Sequence, residues 1–217
     1  MAQPVTPSPR RNATEDAPRR NALLDAARQL IIDEGYAAVT ARRVAAQAGL
    51  KPQLVHYYFE SMDELFAQLV RRDAALGRKR LERALHSPQP LRELWALSTD
   101  GPTTALSTEY LAVAHHRKAI AAEVAAAADA FRRAQYDAFR QALDRYAADI
   151  GEMPTGALLL LLEGLGRILV LELNIGATAF HDEAIAVVEK LLMRLEGPPI
   201  DNTSSGPTSG ELPHDFG

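Results

Sequence analysis

Apolar side chains recur along most of this chain at helical spacing, and no segment shows the apolar–polar alternation of a half-buried strand. Leu23, Ala26, Ala27, Leu30 and Ile31 fall at i, i+3, i+4, i+7 and i+8, which predicts a first helix over 19–34. Gly35 ends it, and Tyr36 and Val39 read as core residues in the connection. Leu65, Phe66, Leu69 and Val70 form a stripe behind Ser61-Met62-Asp63-Glu64, a capping box that opens a long helix. Pro88 and Pro90 punctuate the chain before a short helix with Leu91, Leu94, Trp95 and Leu97, and Asp100-Gly101-Pro102 reads as a turn. Further helices are expected over 103–116, 119–150, 155–174 and 182–196. The fold class is therefore all-α with about nine helices.

The most informative stretch is 40–59, TARRVAAQAGLKPQLVHYYF. Thr40 suits an N-cap, and Val44, Ala45 and Ala48 then form one apolar stripe. Gly49 fits a helix end that needs a positive φ. Pro52 opens a second helix, leaving Lys51 as the boundary residue. Val55, Tyr58 and Phe59 face the core, which leaves Gln53, His56 and Tyr57 outward with Arg42 and Arg43 upstream. Two short helices around a glycine turn make a helix-turn-helix, whose second helix enters the DNA major groove. Arginine donates two hydrogen bonds to guanine and glutamine pairs with adenine, so Arg42 and Gln53 are candidate base readers. Pro52 offers an apolar surface to a thymine methyl; Thr40, Arg43, Lys51, His56 and Tyr57 complete the candidate DNA-binding set.

Composition adjusts this picture. The net charge of −4 argues against nucleic acid, but its distribution does not. Residues 10–83 hold 14 Lys and Arg against 10 Asp and Glu, while the remainder holds 10 against 18. A basic N-terminal part joined to an acidic C-terminal part is what a protein meeting phosphate at one end requires. There are no cysteines, so no disulfide, thiolate metal site or cysteine nucleophile exists. The first 20 residues lack an apolar run and no 18-residue apolar stretch occurs, so neither a signal peptide nor a membrane span is expected.

The pattern T-x-x-x-V-A-x-x-A-G-L, then a segment ending in Tyr58-Phe59, then S-x-x-E-L-F resembles the TetR family of bacterial transcriptional regulators over residues 20–69. The resemblance implies that the residues before Tyr58-Phe59 contact phosphate and that the start of the second helix reads bases. It implies that the helix after Ser61 transmits a ligand signal to the DNA-binding part. Three positions depart from the family pattern, with Lys51, Gln53 and Met62 where Ser or Thr, Gly and Lys often stand. Gln53 must therefore reach DNA with its side chain, and the loss of a lysine at Met62 removes one phosphate contact.

The domain organisation expected is a disordered arm over 1–18, a three-helix helix-turn-helix domain over 19–66, a ligand-binding and dimerisation bundle over 67–197, and a disordered tail over 198–217. The helix over 155–174 is apolar nearly all round, and Gly164 and Gly166 permit close approach. Leu165, Ile168, Leu169, Ile185, Val188 and Leu192 are the candidate dimer-interface residues. The resemblance implies that the last two helices pair with their two-fold mates. It also implies an effector cavity, with Trp95, Tyr110, His115, Phe131, Tyr136 and Phe139 as candidate walls; His116 is a further one. Alanines over 119–130 either leave room for an apolar ligand or permit tight packing.

No G-x-S-x-G, phosphate-binding glycine loop or H-E-x-x-H occurs, and His115 and His116 diverge by about 100° on a helix. Glu163 with Arg167 reads as an i, i+4 ion pair. The expectation is a non-enzymatic, cytoplasmic, ligand-responsive repressor needing no cofactor or metal. Its partners are a palindromic double-stranded DNA operator, a small lipophilic effector and a second copy of itself. The alternative is an all-helical sequestering or interaction module without specific DNA binding.

Overall fold

Caps and breakers divide the described chain into nine α-helices and a single 3-10 turn, with no strand among the described residues. The structure is a computed structural model that describes residues 12–146 and 151–200. α1 spans Asn12–Glu34, the 3-10 turn Tyr36–Ala38, α2 Ala41–Gln47, α3 Gln53–Tyr58 and α4 Met62–Leu85. α5 spans Pro90–Ser98, α6 Gly101–His116, α7 Lys118–Arg145, α8 Thr155–Leu173 and α9 His181–Glu196.

Local chemistry accounts for the boundaries. Thr40 Oγ1 accepts from Arg43 N at 3.3 Å and Ser61 Oγ from Glu64 N at 3.1 Å, each satisfying an orphan amide of a first turn. The glutamate of the capping box reaches back one residue further than expected, Glu64 accepting from Glu60 N. Asp100-Gly101-Pro102, expected as a turn, instead starts α6: Asp100 accepts from Thr103 N at 3.1 Å and Pro102 sits where no amide is needed.

α1 begins at Asn12 rather than residue 19, with Pro18 inside it. Tertiary contacts outweigh the helix-breaking tendency of Pro18. Tyr58 Oη donates to Asp16 at 2.9 Å, and Arg20 donates to Gln68 while its guanidinium lies 5.8 Å over the Phe59 ring. Arg20 is thus committed inside the protein, not to phosphate. Residues 1–11 of the expected arm and 201–217 of the expected tail lie outside the described residues. So do 147–150, where the seventh helix was expected to continue; α7 ends at Arg145. The start of the expected tail, 198–200, is held: Gln89 Nε2 donates to Pro198 O at 2.7 Å, and Ile200 N donates to Gln89 Oε1 at 2.8 Å.

Two apolar cores result. The first joins α1, α2, α3 and the start of α4 with α6 and the start of α7; Leu23, Ile31, Val44, Val55, Phe59, Phe66 and Leu69 meet Leu106, Tyr110, Val113 and Ile120. Burying each such large side chain contributes about 1.5–3 kcal/mol. The second joins the end of α4 with α5, α7, α8 and α9 through Leu81, Leu94, Phe139, Leu143, Leu159, Val188 and Leu192. The first core runs past residue 66, so a division there cuts through packed side chains rather than between them.

Candidate nucleic-acid interface and ligand cavity

The turn between α2 and α3 is built by Gly49 at φ +66°. Leu50 N donates to Ala45 O at 2.8 Å and Gly49 N to Ala46 O at 3.1 Å, a Schellman ending that requires the left-handed residue. Pro52 stands one position before the helix proper, at φ −55°, ψ −32°. Val55 and Phe59 are buried beneath, which turns Gln53, His56 and Tyr57, at i, i+3 and i+4, to the outside. Tyr57 is 65% exposed, with its ring edge-on to Tyr58 at 4.9 Å.

Thr40, Arg42, Lys51, Pro52 and Gln53 are exposed on this same unit. Arg42 makes no ion pair among the described residues. Arg43 does: its Nη1 donates to Glu34 Oε2 at 2.8 Å across the connection from α1. That hydrogen bond holds the Glu34 carboxyl below the usual carboxylate range and raises Arg43 in turn. Arg43 is therefore engaged within the protein rather than free. Met62 is half-buried against the first core, so the position is used for packing.

Three residues separate α3 from α4, which continues into the wall of a cavity of about 1270 Å³. Trp95, Tyr110, Phe131 and Phe139 line it. His115 and Tyr136 do not. His115 stands exposed with its ring edge-on to His116 at 5.3 Å, off the phase of Tyr110. Tyr136 follows the cavity-lining Gln135 by one residue, so it points about 100° away, and packs near Gly156. Ala127 and Ala128 line the space, so these alanines leave room. Tyr110 Oη donates to Asp73, whose Oδ1 accepts from Arg28 Nε at 3.1 Å. Burial, reinforced by the Asp73 carboxylate, pushes the Tyr110 phenol far above its ordinary range, so it remains a neutral donor. A cavity wall is thereby tied to α1.

The expected Glu163–Arg167 ion pair does not form. Glu163 Oε1 accepts from Ser98 Oγ at 2.8 Å, and Arg167 Nη1 is 3.3 Å from Ser107 Oγ. Both side chains turn to other helices because α5 and α6 pack on the face they share. Arg132, Gln135, Glu163 and Arg167 are cavity residues that periodicity did not single out. Their signal was charged and amide residues inside otherwise apolar stripes.

Of the expected dimer residues, Leu169, Val188 and Leu192 are buried in the protomer itself and Leu165 is half-buried against the second core. Ile168 and Ile185 remain 45% and 41% exposed. Leu161, Leu173, Ile175, Phe180 and Val187 are the apolar side chains these elements leave outermost. Gly166 is spent within the protomer, its α-carbon against Ser98, whereas Gly164 faces open space.

Residues 23–69 match the family model described as bacterial regulatory proteins, tetR family. Over this stretch, 47 of the 217 residues, the chain is similar to TetR-family regulators. Members of the family are DNA-binding transcriptional regulators and not enzymes. By sequence, no match to a curated protein was found. Solved structures share the fold. A transcriptional regulator from Saccharomonospora viridis in complex with choline is 19% identical, with a TM-score of 0.67 over 81% of this chain and 96% of its own. Reduced NemR from E. coli is 17% identical, with a TM-score of 0.63 over 80% and 97%. A TetR-family regulator from Rhodococcus sp. is 18% identical, with a TM-score of 0.60 over 81% and 99%. Among the described residues no helix is long and apolar enough to cross a membrane, and no three His, Asp or Glu side chains cluster as metal ligands.

Proposed function

We propose that this protein is a cytoplasmic TetR-family repressor that binds a palindromic operator as a homodimer and leaves it when a lipophilic effector enters the cavity. The observation that carries this reading is the double use of α4. The helix is capped at Ser61, directly behind the outward-facing α3, and lines the cavity from Val70 to Arg83. Any movement of its cavity end displaces α3. Effector and DNA then oppose each other through a reciprocal coupling free energy, and the effector acts through its differential affinity for the two conformations.

The head, 19–66, would supply the reading surface of Arg42, Lys51, Pro52, Gln53, His56 and Tyr57, with Thr40 at its edge. The remainder to 197 would supply cavity and dimer contacts. Exposed Leu161, Ile168 and Val187 support pairing through α8 and α9. A two-fold dimer sets its recognition helices about one DNA turn apart.

The test is selection of bound duplexes from a random pool, followed by titration at two salt concentrations. A palindrome whose affinity falls steeply with salt supports the reading. Weak binding without an enriched sequence overturns it in favour of a sequestering module.

A further inference from the structure

The cavity wall is mostly apolar, and one band of it between α7 and α8 carries unbalanced positive charge. Arg132 and Gln135 stand on α7, Glu163 and Arg167 on α8. Arg132 Nη1 is buried without a hydrogen-bond partner and lies 3.8 Å from Glu163 Oε2, beyond hydrogen-bond distance. Glu163 is already served from the other side by the Ser98 hydroxyl. Arg167 has only the Ser107 hydroxyl. Two guanidiniums thus face one carboxylate. Gln135 is 7% exposed, and no described residue engages its amide. The remaining charges on the wall are paired or outside: Arg80 holds Asp100, Arg28 holds Asp73, and Lys79, Glu82, Arg83 and His86 are exposed.

A buried donor left unpaired is costly. The rest of the Arg132 side chain stays 37% exposed and lines the open volume, so its guanidinium can receive an acceptor that arrives with a ligand. The planar guanidinium fork matches a carboxylate better than any other acceptor of that size. Along α7 the wall then turns apolar: the seven steps from Arg132 to Phe139 cover about 10 Å. Leu94, Trp95 and Leu159 flank that length.

We infer that the effector is an amphipathic carboxylate. Its head group bridges Arg132 and Arg167 and accepts from the Gln135 amide, and its hydrocarbon body lies along Trp95 and Phe139. This rests on the reading of the cavity as the effector site. A cation meets two guanidiniums and a glutamate already engaged. A neutral lipid leaves Arg132 unpaired.

Trp95 is the protein's single tryptophan, so intrinsic fluorescence reports occupancy. The full chain is titrated near neutral pH with decanoate, decanol and decyltrimethylammonium, each below its aggregation concentration. Decanoate is expected to bind about tenfold or more tighter than decanol, and the cation weakest. Arg132→Met removes the preference for decanoate while keeping decanol affinity; Arg167→Met, which serves if the first variant does not fold, lowers it. Decanol or the cation binding as tightly as decanoate overturns the inference. So does full carboxylate preference in a folded variant, or no binding of any probe. The two readings fail separately. Decanoate binding without an operator sinks the regulator and spares the ligand. A selected palindrome with no decanoate preference sinks only the ligand class.

Discussion

Glu109 Oε2 accepts a hydrogen bond from the backbone N of Tyr36 at 2.7 Å, joining the middle of α6 to the connection in front of the helix-turn-helix. Gly35 stands beside this contact at φ +81°, where a Cβ would come within 3.3 Å of the same carboxylate oxygen. The entry to α2 is thus fixed from a helix that also lines the cavity. Glu109→Ala orphans the Tyr36 amide and is expected to cost about 1–3 kcal/mol. A thermal melt checks this: a shift of several degrees, at about 2–4 °C per kcal/mol, is the expected result. An unchanged midpoint means that water replaces the carboxylate.

Freeing Arg43 is expected to strengthen binding to DNA of any sequence. In Glu34→Gln the guanidinium loses its charged partner, and one more phosphate contact steepens the salt dependence by about 0.9 in log–log slope. Titrations over a range of salt on a non-operator duplex measure it. An identical slope in both proteins shows that Arg43 stands clear of the backbone.

Arg42 and Lys51 are expected to separate by kind. Arg42→Ala costs about 1–3 kcal/mol on the operator and relaxes choice at one base position. Lys51→Ala weakens all sequences alike. Competition between operator and scrambled duplexes distinguishes them, and equal loss on both for Arg42→Ala removes it from base reading.

Two helical glycines are expected to answer alanine differently. A Cβ on Gly166 meets the backbone oxygen of Ser98 at 2.8 Å, so α5 and α8 must part, at about 1–3 kcal/mol. A Cβ on Gly77 meets only the ring edge of Phe131, at 2.7 Å, and that ring borders the cavity. The ring moves into the open space, and the gain in helix propensity, about 1 kcal/mol, offsets the strain. Gly77→Ala should melt near the wild type yet bind effector more weakly; calorimetry and titration read the two effects.

Acid is expected to loosen the start of α6. Burial acts to raise the Asp100 carboxyl, but hydrogen bonds from Arg80 and Thr103 outweigh it and hold the group below its ordinary value. The folded protein therefore binds this proton less readily than the unfolded chain. The contribution is present above about pH 4 and is lost as pH falls through the folded value. Asp100→Asn keeps the cap and loses the charge. Its melting point should trail the wild type near neutrality by the equivalent of under about 1 kcal/mol, after solvent screening, and the gap should close in acid. A gap that persists at low pH assigns the effect to packing.

The helix-turn-helix was legible because its determinants are local. The Thr40 cap, the positive φ at Gly49 and the fixed φ of Pro52 each act within a few residues. The same holds for the Ser61 cap. Partners distant in sequence left no such trace: Glu109 and Tyr36 are 73 residues apart. The start of α1 was not legible because the Asp16–Tyr58 and Arg20–Gln68 contacts that hold it outweigh the helix-breaking tendency of Pro18. Periodicity on the last two helices marked Leu169, Val188 and Leu192, which pack within the protomer, since a stripe records burial without saying against what. For the cavity, helical phase decided: Gln135 and Phe139 face in, while Tyr136 between them does not.

The way the first core crosses from the head into α6 and α7 bears on how this protein can be re-engineered. Grafting foreign specificity by exchanging a gene fragment at residue 66 would strip Leu69, Leu106, Val113 and Ile120 of the neighbours they were shaped to fit. A chimera made there inherits a mismatched seam and, with it, a hydrophobic wound that invites aggregation. The smaller transplant, the outward side chains of α2 and α3 alone, leaves every partner of that seam in place.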